Sequence, residues 1–334
     1  QNCTICAREQ HFETRPIVSG GTPASSTHGH EAGARQRPAR APDGARARGA
    51  RAVASSGRSG RAGVQVRRLA RGAQDGYRSP LVPGLKSNQD AERLAQEIAF
   101  ASTRLAAMRA PSEIELWGQV ADPVSDIEER TWLAFLIAYI GPDDSAQPFA
   151  AIQAARTPWS AGGQPHWEHV RPGPRGAYDP ARAALTVAAY RVWAERAGSQ
   201  GLAFAGEPGW TPERRFERVF ERLALPGMTR DARFELLTLL GRAGVHQMRA
   251  SMLALSGENE ATWAAKRALG IGDPLLLERR AAELAGACEA PLDALDLALH
   301  NWGSGTRVGG GFPLDTPPDE GALARARDAL GLGR

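Results

Sequence analysis

The sequence is poor in cysteine and contains no long apolar run. Three cysteines, Cys3, Cys6 and Cys288, are too few for a disulfide framework in a chain of 334 residues, which predicts a protein of the reducing cytoplasm. The most apolar stretch, Trp132–Ile140, is well short of the roughly 20 residues that a membrane-spanning helix needs. We therefore do not expect the membrane to be a partner.

Several common signatures are also missing. The chain has neither the glycine-rich phosphate loop of nucleotide-hydrolysing enzymes nor a dinucleotide-binding fingerprint, which argues against both of those classes. No segment alternates apolar and polar residues over the length of a strand. Apolar residues recur instead at helical spacing, which predicts a mostly α protein. We expect its body to be a bilobed helical bundle that holds a helix-hairpin-helix unit.

Positive charge is carried almost entirely by arginine, since the chain has 39 arginines and only two lysines, Lys86 and Lys266. Residues 1–78 hold fourteen arginines and five acidic residues, a formal charge of +9, so the remainder carries −5. Residues 1–78 are also rich in alanine, glycine, proline and serine, which predicts a disordered arm, with order beginning near Leu81. The arm is either a basic tail that holds DNA electrostatically or a flexible or spurious extension.

Two groups of residues have part of a metal-site pattern. Cys3 and Cys6 have half of a zinc-site spacing, with His11 as the nearest third ligand, but no second cysteine pair follows. A predicted loop contains the second group, namely His166, Glu168 and His169. An accidental spacing and ordinary loop polarity account for these patterns, so we predict no metal and no cofactor.

The body of the chain divides into a helical domain, residues 79–307, and a C-terminal loop with a short helix, residues 308–334. Helix starts are predicted at Asp179–Pro180 and Thr211–Pro212, because each pair combines an N-cap residue with a proline suited to the first helical position. These signals predict that the domain of residues 79–307 is helical.

One predicted helix is apolar nearly all round. Ser125–Glu128 forms a capping box that opens it, and the stretch Trp132–Ile140 then brings tryptophan, phenylalanine, tyrosine and branched aliphatic side chains together. A helix without a polar face has to be enclosed by other elements. We predict that this is the central buried helix.

The most informative stretch is a turn that separates two helical patterns, one ending at Ala268 and one beginning at Pro274. Two glycines let the chain reverse tightly while the aliphatic residue between them fills the gap between the helices. Backbone N–H groups of such a turn point outward at a helix N-terminus, where an anion such as a DNA phosphate is favoured. The predicted DNA contacts are Leu269, Gly270, Ile271, Gly272 and Lys266, the last being either a phosphate contact or a surface residue.

This turn resembles the hairpin of the helix-hairpin-helix DNA glycosylases, usually written Leu-Pro-Gly-Val-Gly. In that family a helix and then Pro-Val-Asp follow, and here Pro291-Leu292-Asp293 places its acid 23 residues past Gly270. The resemblance covers roughly Thr211 to Trp302. It implies a monofunctional enzyme without an iron–sulfur cluster, because Pro274 lies where lyase-type members carry a lysine and no cysteine cluster follows.

Within that superfamily, two further segments look most like the thymine pyrophosphorylase-like branch. They are Trp132-Leu-Ala-Phe-Leu and the segment Asp296-Leu-Ala-Leu-His-Asn-Trp302. Similarity to this branch implies action at a modified thymine, and similarity to the glycosylases implies base excision.

The resemblance makes Asp293 the candidate catalytic acid, because a carboxylate can stabilise an oxocarbenium-like state or activate water. Asp293 could equally be an ordinary favourable acid in the first turn of a helix. Asp296 and His300 follow at spacings that share its face, as an acid/base group or as a solvated polar stripe. Trp302 could stack on a base or lie in the core.

Three classes of function stay open at this point. The first is a DNA-base-directed enzyme or a degenerate relative of one. The second is a non-catalytic DNA-binding or structural helical protein that keeps only the hairpin. The third is an all-α scaffold unrelated to DNA, and the acidic body counts against a broad nucleic-acid footprint.

Overall fold

Helices and their connections account for all of the structure that the computed structural model describes, which is residues 73–109 and 112–333. No strand occurs among these residues, so the mostly α prediction is confirmed. The helices in this part of the chain are α1 (Asn88–Ala107), α2 (Glu115–Ala121), α3 (Ile127–Ile140), α4 (Ala150–Ala155), α5 (Ala183–Arg196), α6 (Gln200–Ala205), α7 (Pro212–Arg222), α8 (Arg230–Arg242), α9 (Glu260–Leu269), α10 (Pro274–Ala287), α11 (Leu292–Ser304) and α12 (Glu320–Leu330).

Side-chain caps explain where several of these helices begin. Thr211 caps α7 as predicted, its Oγ1 accepting a hydrogen bond from the Arg214 N–H at 3.2 Å. The predicted capping box at Ser125 is wrong by one residue. Asp126 is the N-cap of α3, because its carboxylate accepts from the N–H groups of both Glu128 and Glu129.

Other helix boundaries differ from the sequence prediction for local reasons. Helix α5 begins at Ala183 rather than at Pro180, because the carbonyl of Asp179 accepts from the N–H groups of Arg182 and Ala183 in a separate preceding turn. Helices α4 and α6 were not predicted. Each has six residues, which is too short to show a helical period in the sequence.

The prediction of a central buried helix is confirmed. Every residue of α3 from Arg130 to Ile140 is buried, and α3 packs against α2, α6 and α8. Its aromatic face joins a stack in which the ring of Phe135 lies 4.0 Å from that of Tyr190 and 5.1 Å from that of Trp132. Such ring pairs contribute beyond their buried area, so α3 anchors this part of the core.

Helix α11 runs through the other part of the core, packed between α1 and α9. Trp302 near its end donates from Nε1 to the carbonyl of Asp90 at the start of α1, at 2.9 Å. A Cβ added at Gly303 would lie 2.7 Å from the Cβ of Ala264, so α9 crosses closely there. The end of α11 thus lies beside the start of α1. The two helices are antiparallel, so the start of α11 lies near the end of α1.

Packed structure begins earlier than the predicted boundary near Leu81. Tyr77 is buried and donates from its hydroxyl to the carbonyl of Leu330 at 2.6 Å. Asp75 accepts from the N–H of Asn88 at 2.9 Å, beside the first turn of α1. The predicted disorder of residues 1–72 lies outside the described residues.

No helix among the described residues is both long enough and apolar enough to cross a membrane.

Candidate active site

Asp293 lies in the first turn of α11 and forms a two-point ion pair. Its Oδ2 accepts from Nε of Arg242 at 2.7 Å, and its Oδ1 accepts from Nη2 of the same guanidinium. Arg242 comes from the last turn of α8. The carboxylate is 7% exposed and the arginine side chain 19%, so the pair lies at the edge of the interior rather than on an open surface.

A cleft of about 260 Å³ opens over this pair. This volume is close to the lower end of the roughly 300–1,000 Å³ that is typical of small-molecule sites. Three arginines line the cleft together with Asp293, and its apolar surface includes Phe216 and Met248. These arginines are Arg109, just after α1, Arg242, and Arg249, whose Nε donates to Glu213 at 2.6 Å. The lining of the cleft therefore holds three guanidinium groups and one carboxylate, with Arg242 paired to Asp293 and Arg249 paired to Glu213 just outside the lining.

Asp296 lies one turn further along α11 and is 2% exposed. Its Oδ2 accepts from Nη2 of Arg175 at 2.5 Å, and its Oδ1 accepts from Nη1 of Arg230. Burial by itself raises the pKa of Asp296, but attraction to Arg230 and Arg175 outweighs burial and lowers that pKa to about 2. A carboxylate with such a low pKa and two arginine partners is a poor proton acceptor at neutral pH.

His300 lies on the same side of α11 and is also buried. Burial, followed by the positive charge of Arg175, lowers the pKa of His300 to about 4, against the opposing effects of Asp231 and Asp296. The imidazole is therefore neutral at physiological pH. All three side chains of this face, Asp293, Asp296 and His300, are buried, so the interpretation as a solvated polar stripe is wrong.

Asp296 and His300 do not line the cleft over Asp293. Asp296 has a structural role instead. Its partner Arg230 also donates from Nη2 to the carbonyl of Leu253. One guanidinium thus joins α11 to the loop after α8, and part of that loop, Met248 to Ala250, forms a wall of the cleft. The ion pairs of Asp296 with Arg175 and Arg230 therefore hold a wall of the cleft in place, although they do not line the cleft.

We expect Asp296→Ala to reduce the free energy of unfolding by about 3–5 kcal/mol, because it leaves two buried guanidinium groups without their carboxylate. Urea unfolding of the full chain would measure the change. A matched control is Glu283→Ala, which removes a partly exposed partner of Arg279 and Arg280 and is expected to have little effect. Equal urea midpoints of unfolding for the two variants would contradict the structural role of Asp296.

The turn between α9 and α10 is held by main-chain contacts. Gly270 has φ of 67° and donates from its N–H to the carbonyl of Lys266 at 2.9 Å, so a left-handed glycine ends α9 as the sequence pattern indicated. Gly272 is different. It is not among the described residues with positive φ, and a Cβ added there would meet nothing within 4 Å. Of the two glycines of the turn, only Gly270 therefore requires the left-handed backbone conformation.

The turn and Asp293 are associated with different ends of α11. Arg267, three residues before Gly270, lies with its guanidinium carbon 3.8 Å above the ring of Trp302. Trp302 is nine residues beyond Asp293, which corresponds to roughly 13 Å along a helix. The structure therefore does not bring the predicted phosphate contact and the predicted acid into one pocket.

Trp302 is a core residue and cannot stack on a base. Its ring is fully buried between α1, α9 and α11, with Nε1 hydrogen-bonded to Asp90. Lys266 is half-buried in the last turn of α9. Ile271, predicted to fill the gap between the helices, is partly buried and packs against the core.

Metal ligands do not converge in the described part of the chain, where no group of three or more histidine, cysteine or acidic side chains could hold an ion. His166, Glu168 and His169 lie in the loop after α4 without forming such a group. Cys3, Cys6 and His11 lie outside the described residues.

The three arginines of the cleft had no distinguishing signal in the sequence. Arg242 is 51 residues from Asp293 and is one of 39 arginines in the chain. A basic residue in the last turn of a helix is common, because its positive charge interacts favourably with the negative end of the helix dipole. Only the folded structure, which brings the last turn of α8 to the first turn of α11, identifies Arg242 as the partner of Asp293.

Comparisons of this chain with protein-family models, with curated proteins and with solved structures give no match. The function therefore has to be inferred from the site itself.

Proposed function

We propose that the chain is a DNA-base-directed enzyme of the helix-hairpin-helix glycosylase type, acting by base excision or on a modified thymine. In this proposal α9, the turn Leu269–Gly272 and α10 form the hairpin unit, which binds a phosphate. Asp293 is the catalytic carboxylate. The bilobed arrangement of the helical body stays a prediction.

The observation that carries the proposal is the position of Asp293 in an arginine-lined cleft. A nucleotide presents phosphate oxygens and a glycosidic bond within a few ångströms of one another. Arginines suit the phosphates because guanidinium groups bind such oxygens in pairs. A carboxylate beside them suits the positive charge that builds on the sugar as the glycosidic bond breaks.

The ion pair with Arg242 supports a simple sequence of events. Both carboxylate oxygens of Asp293 are engaged by one guanidinium. A DNA phosphate in the cleft would compete for Arg242, and the carboxylate would then be free to face the sugar of an extruded nucleotide. Substrate binding would thus expose the catalytic charge only when the substrate is present.

The same ion pair also favours a second candidate function. If Arg242 stays bound to Asp293, the carboxylate is neutralised and serves only to hold α8 against α11. The chain would then be a non-catalytic DNA-binding or structural helical protein. The two candidates differ in chemistry, not in the surface that meets DNA.

The test uses the full chain and a set of labelled duplexes, each with one altered base such as uracil, an oxidised purine, an alkylated adenine or a modified thymine. We expect alkali-labile abasic sites, or a chemically changed thymine, in at least one duplex. We also expect Gly272→Val to weaken binding, because the added side chain obstructs the approach of phosphate to the turn.

Gly286→Val is the matched control for Gly272→Val. An added Cβ meets nothing within 4 Å at either glycine, so both variants should fold, and Gly286 is at the far end of α10. Equal affinities of the two variants would refute the phosphate contact at the turn. DNA binding without any base release or base change would favour the non-catalytic alternative.

A further inference from the structure

A second cleft lies on the segment that precedes α1. It has a volume of about 500 Å³, and its lining includes Tyr77, Arg78, Ser79, Pro83 and Lys86. Most of its lining side chains are exposed and only Tyr77 and Ser79 are buried, so it is a shallow, open groove. Small-molecule sites enclose most of their ligand, which this groove cannot do.

This groove is continuous with the turn between α9 and α10. The N–H of Gly84 donates to the carbonyl of Ala268 at 3.0 Å. A Cβ added at Gly84 would lie 1.9 Å from the carbonyl oxygen of Arg267, so no side chain fits between the two segments. A Cβ at Gly270 would lie 3.5 Å from the N–H nitrogen of Gly84. The groove and the turn therefore form one surface.

Two cations line the groove, Arg78 and Lys86. Lys86 donates from Nζ to the carbonyl of Pro83 at 2.7 Å. Arg78 is exposed, and no ion pair within the described residues involves Arg78 or Lys86. These cations stand out because residues 79–334 carry a net negative charge.

The acids of this surface are engaged with the main chain. Asp75 accepts from the N–H groups of Tyr77 and Asn88 at 3.0 and 2.9 Å. Asp273 accepts from the N–H of Leu276 at 2.9 Å as the N-cap of α10. Neither carboxylate forms an ion pair with Arg78 or Lys86.

We infer that this surface, from Arg78 and Lys86 to the turn at Gly270, binds the phosphodiester backbone of DNA. The inference rests on the proposed function and extends the DNA contact beyond the helix-hairpin-helix unit to a segment outside it. A shallow groove with separated cations fits a chain of phosphates, because each phosphate needs only a local positive partner. It positions the duplex and reads no base.

The test compares the full-length wild type with Arg78→Gln/Lys86→Gln in binding to a fluorescent duplex over a salt series. The substitutions remove two exposed charges and no buried contact, so circular dichroism and the melting temperature should not change. Each phosphate contact contributes about 0.9 to the slope of log affinity against log salt, so the slope should fall by about 1.8. Between about 50 and 200 mM salt, the wild type should lose roughly tenfold more affinity than the variant.

Arg182→Gln/Arg196→Gln is the matched control, since it removes two exposed arginines at α5. Its slope should equal that of the wild type. A wild type that binds DNA, with equal slopes for both double variants, would overturn this inference and leave the proposed function standing. A wild type with no affinity even at low salt would overturn both. Loss of binding to phosphatidylserine vesicles in Arg78→Gln/Lys86→Gln, with the DNA slope unchanged, would assign the surface to a membrane instead.

Discussion

Asp293→Asn should abolish turnover on the responsive duplex while leaving DNA binding close to that of the wild type. The substitution keeps the shape of the side chain and removes the negative charge that stabilises positive charge on the sugar. The loss of such a group lowers kcat by about 10²- to 10⁴-fold. Single-turnover kinetics at saturating enzyme would isolate this effect, because binding no longer limits the rate.

The ion pair of Asp293 makes Arg242→Gln the informative control. This variant breaks the same pair but keeps the carboxylate, so we expect kcat within about tenfold of the wild type and a larger effect on KM. If the pair has only a structural role, both variants should lose stability and activity together. Parallel losses in unfolding midpoint and rate would therefore rule out Asp293 as the catalytic group.

Acid should destabilise the protein strongly before its carboxylates titrate. Burial, followed by the positive charges of Arg130 and Arg215, lowers the pKa of His246 to about 4, and the pKa of His300 is also about 4. In the unfolded chain both imidazoles would have a pKa near 6.5. The unfolded state therefore binds more protons between these values, and stability falls as the pH decreases from about 6.5 to 4.

The expected loss is roughly 3 kcal/mol for each histidine over this window, which is a large part of the total stability of a typical domain. Urea unfolding at closely spaced pH values would measure it. Asp296 titrates separately. Its pKa is about 2 in the folded state, so its contribution is fully present above about pH 4 and is lost only as the pH falls toward 2.

The variant His246→Gln/His300→Gln tests this assignment, because glutamine is uncharged at every pH. Its stability should be nearly constant between pH 6.5 and 4, even if it is lower than that of the wild type at pH 7. The hydrogen bond between His246 Nε2 and Thr131 Oγ1, at 3.2 Å, makes some loss at pH 7 expected. An unchanged slope in the variant would show that other groups cause the acid sensitivity.

Asp293 and the turn at Gly270 illustrate how far spacing along the chain can predict a site. The sequence indicated an acid in the first turn of one helix and a left-handed glycine at the end of another, and both are present. Their separation along the chain did not predict their separation in space. The crossing of α9 over the end of α11 puts the turn near Trp302 rather than near Asp293.

The sequence by itself determined the helical class, most helix ends and the buried central helix. These features depend on local chemistry: caps such as Thr211, prolines in the first turn, and a helix without a polar face at Trp132–Ile140. Each can be recognised within a window of a few turns, because the stabilising contacts lie within the same helix or its ends.

Only the tertiary structure decided which charges meet. Arg175 is 121 residues from Asp296 and Arg230 is 66 residues from it, and nothing nearby in the sequence distinguishes these arginines from the others. The physical reason is that an ion pair depends on distance and burial. The tertiary arrangement of α8, α11 and the loop after α4 sets both quantities. Of the three predicted catalytic residues, Asp296 and His300 are buried away from the cleft. Asp293 is the one that lines the arginine-lined cleft.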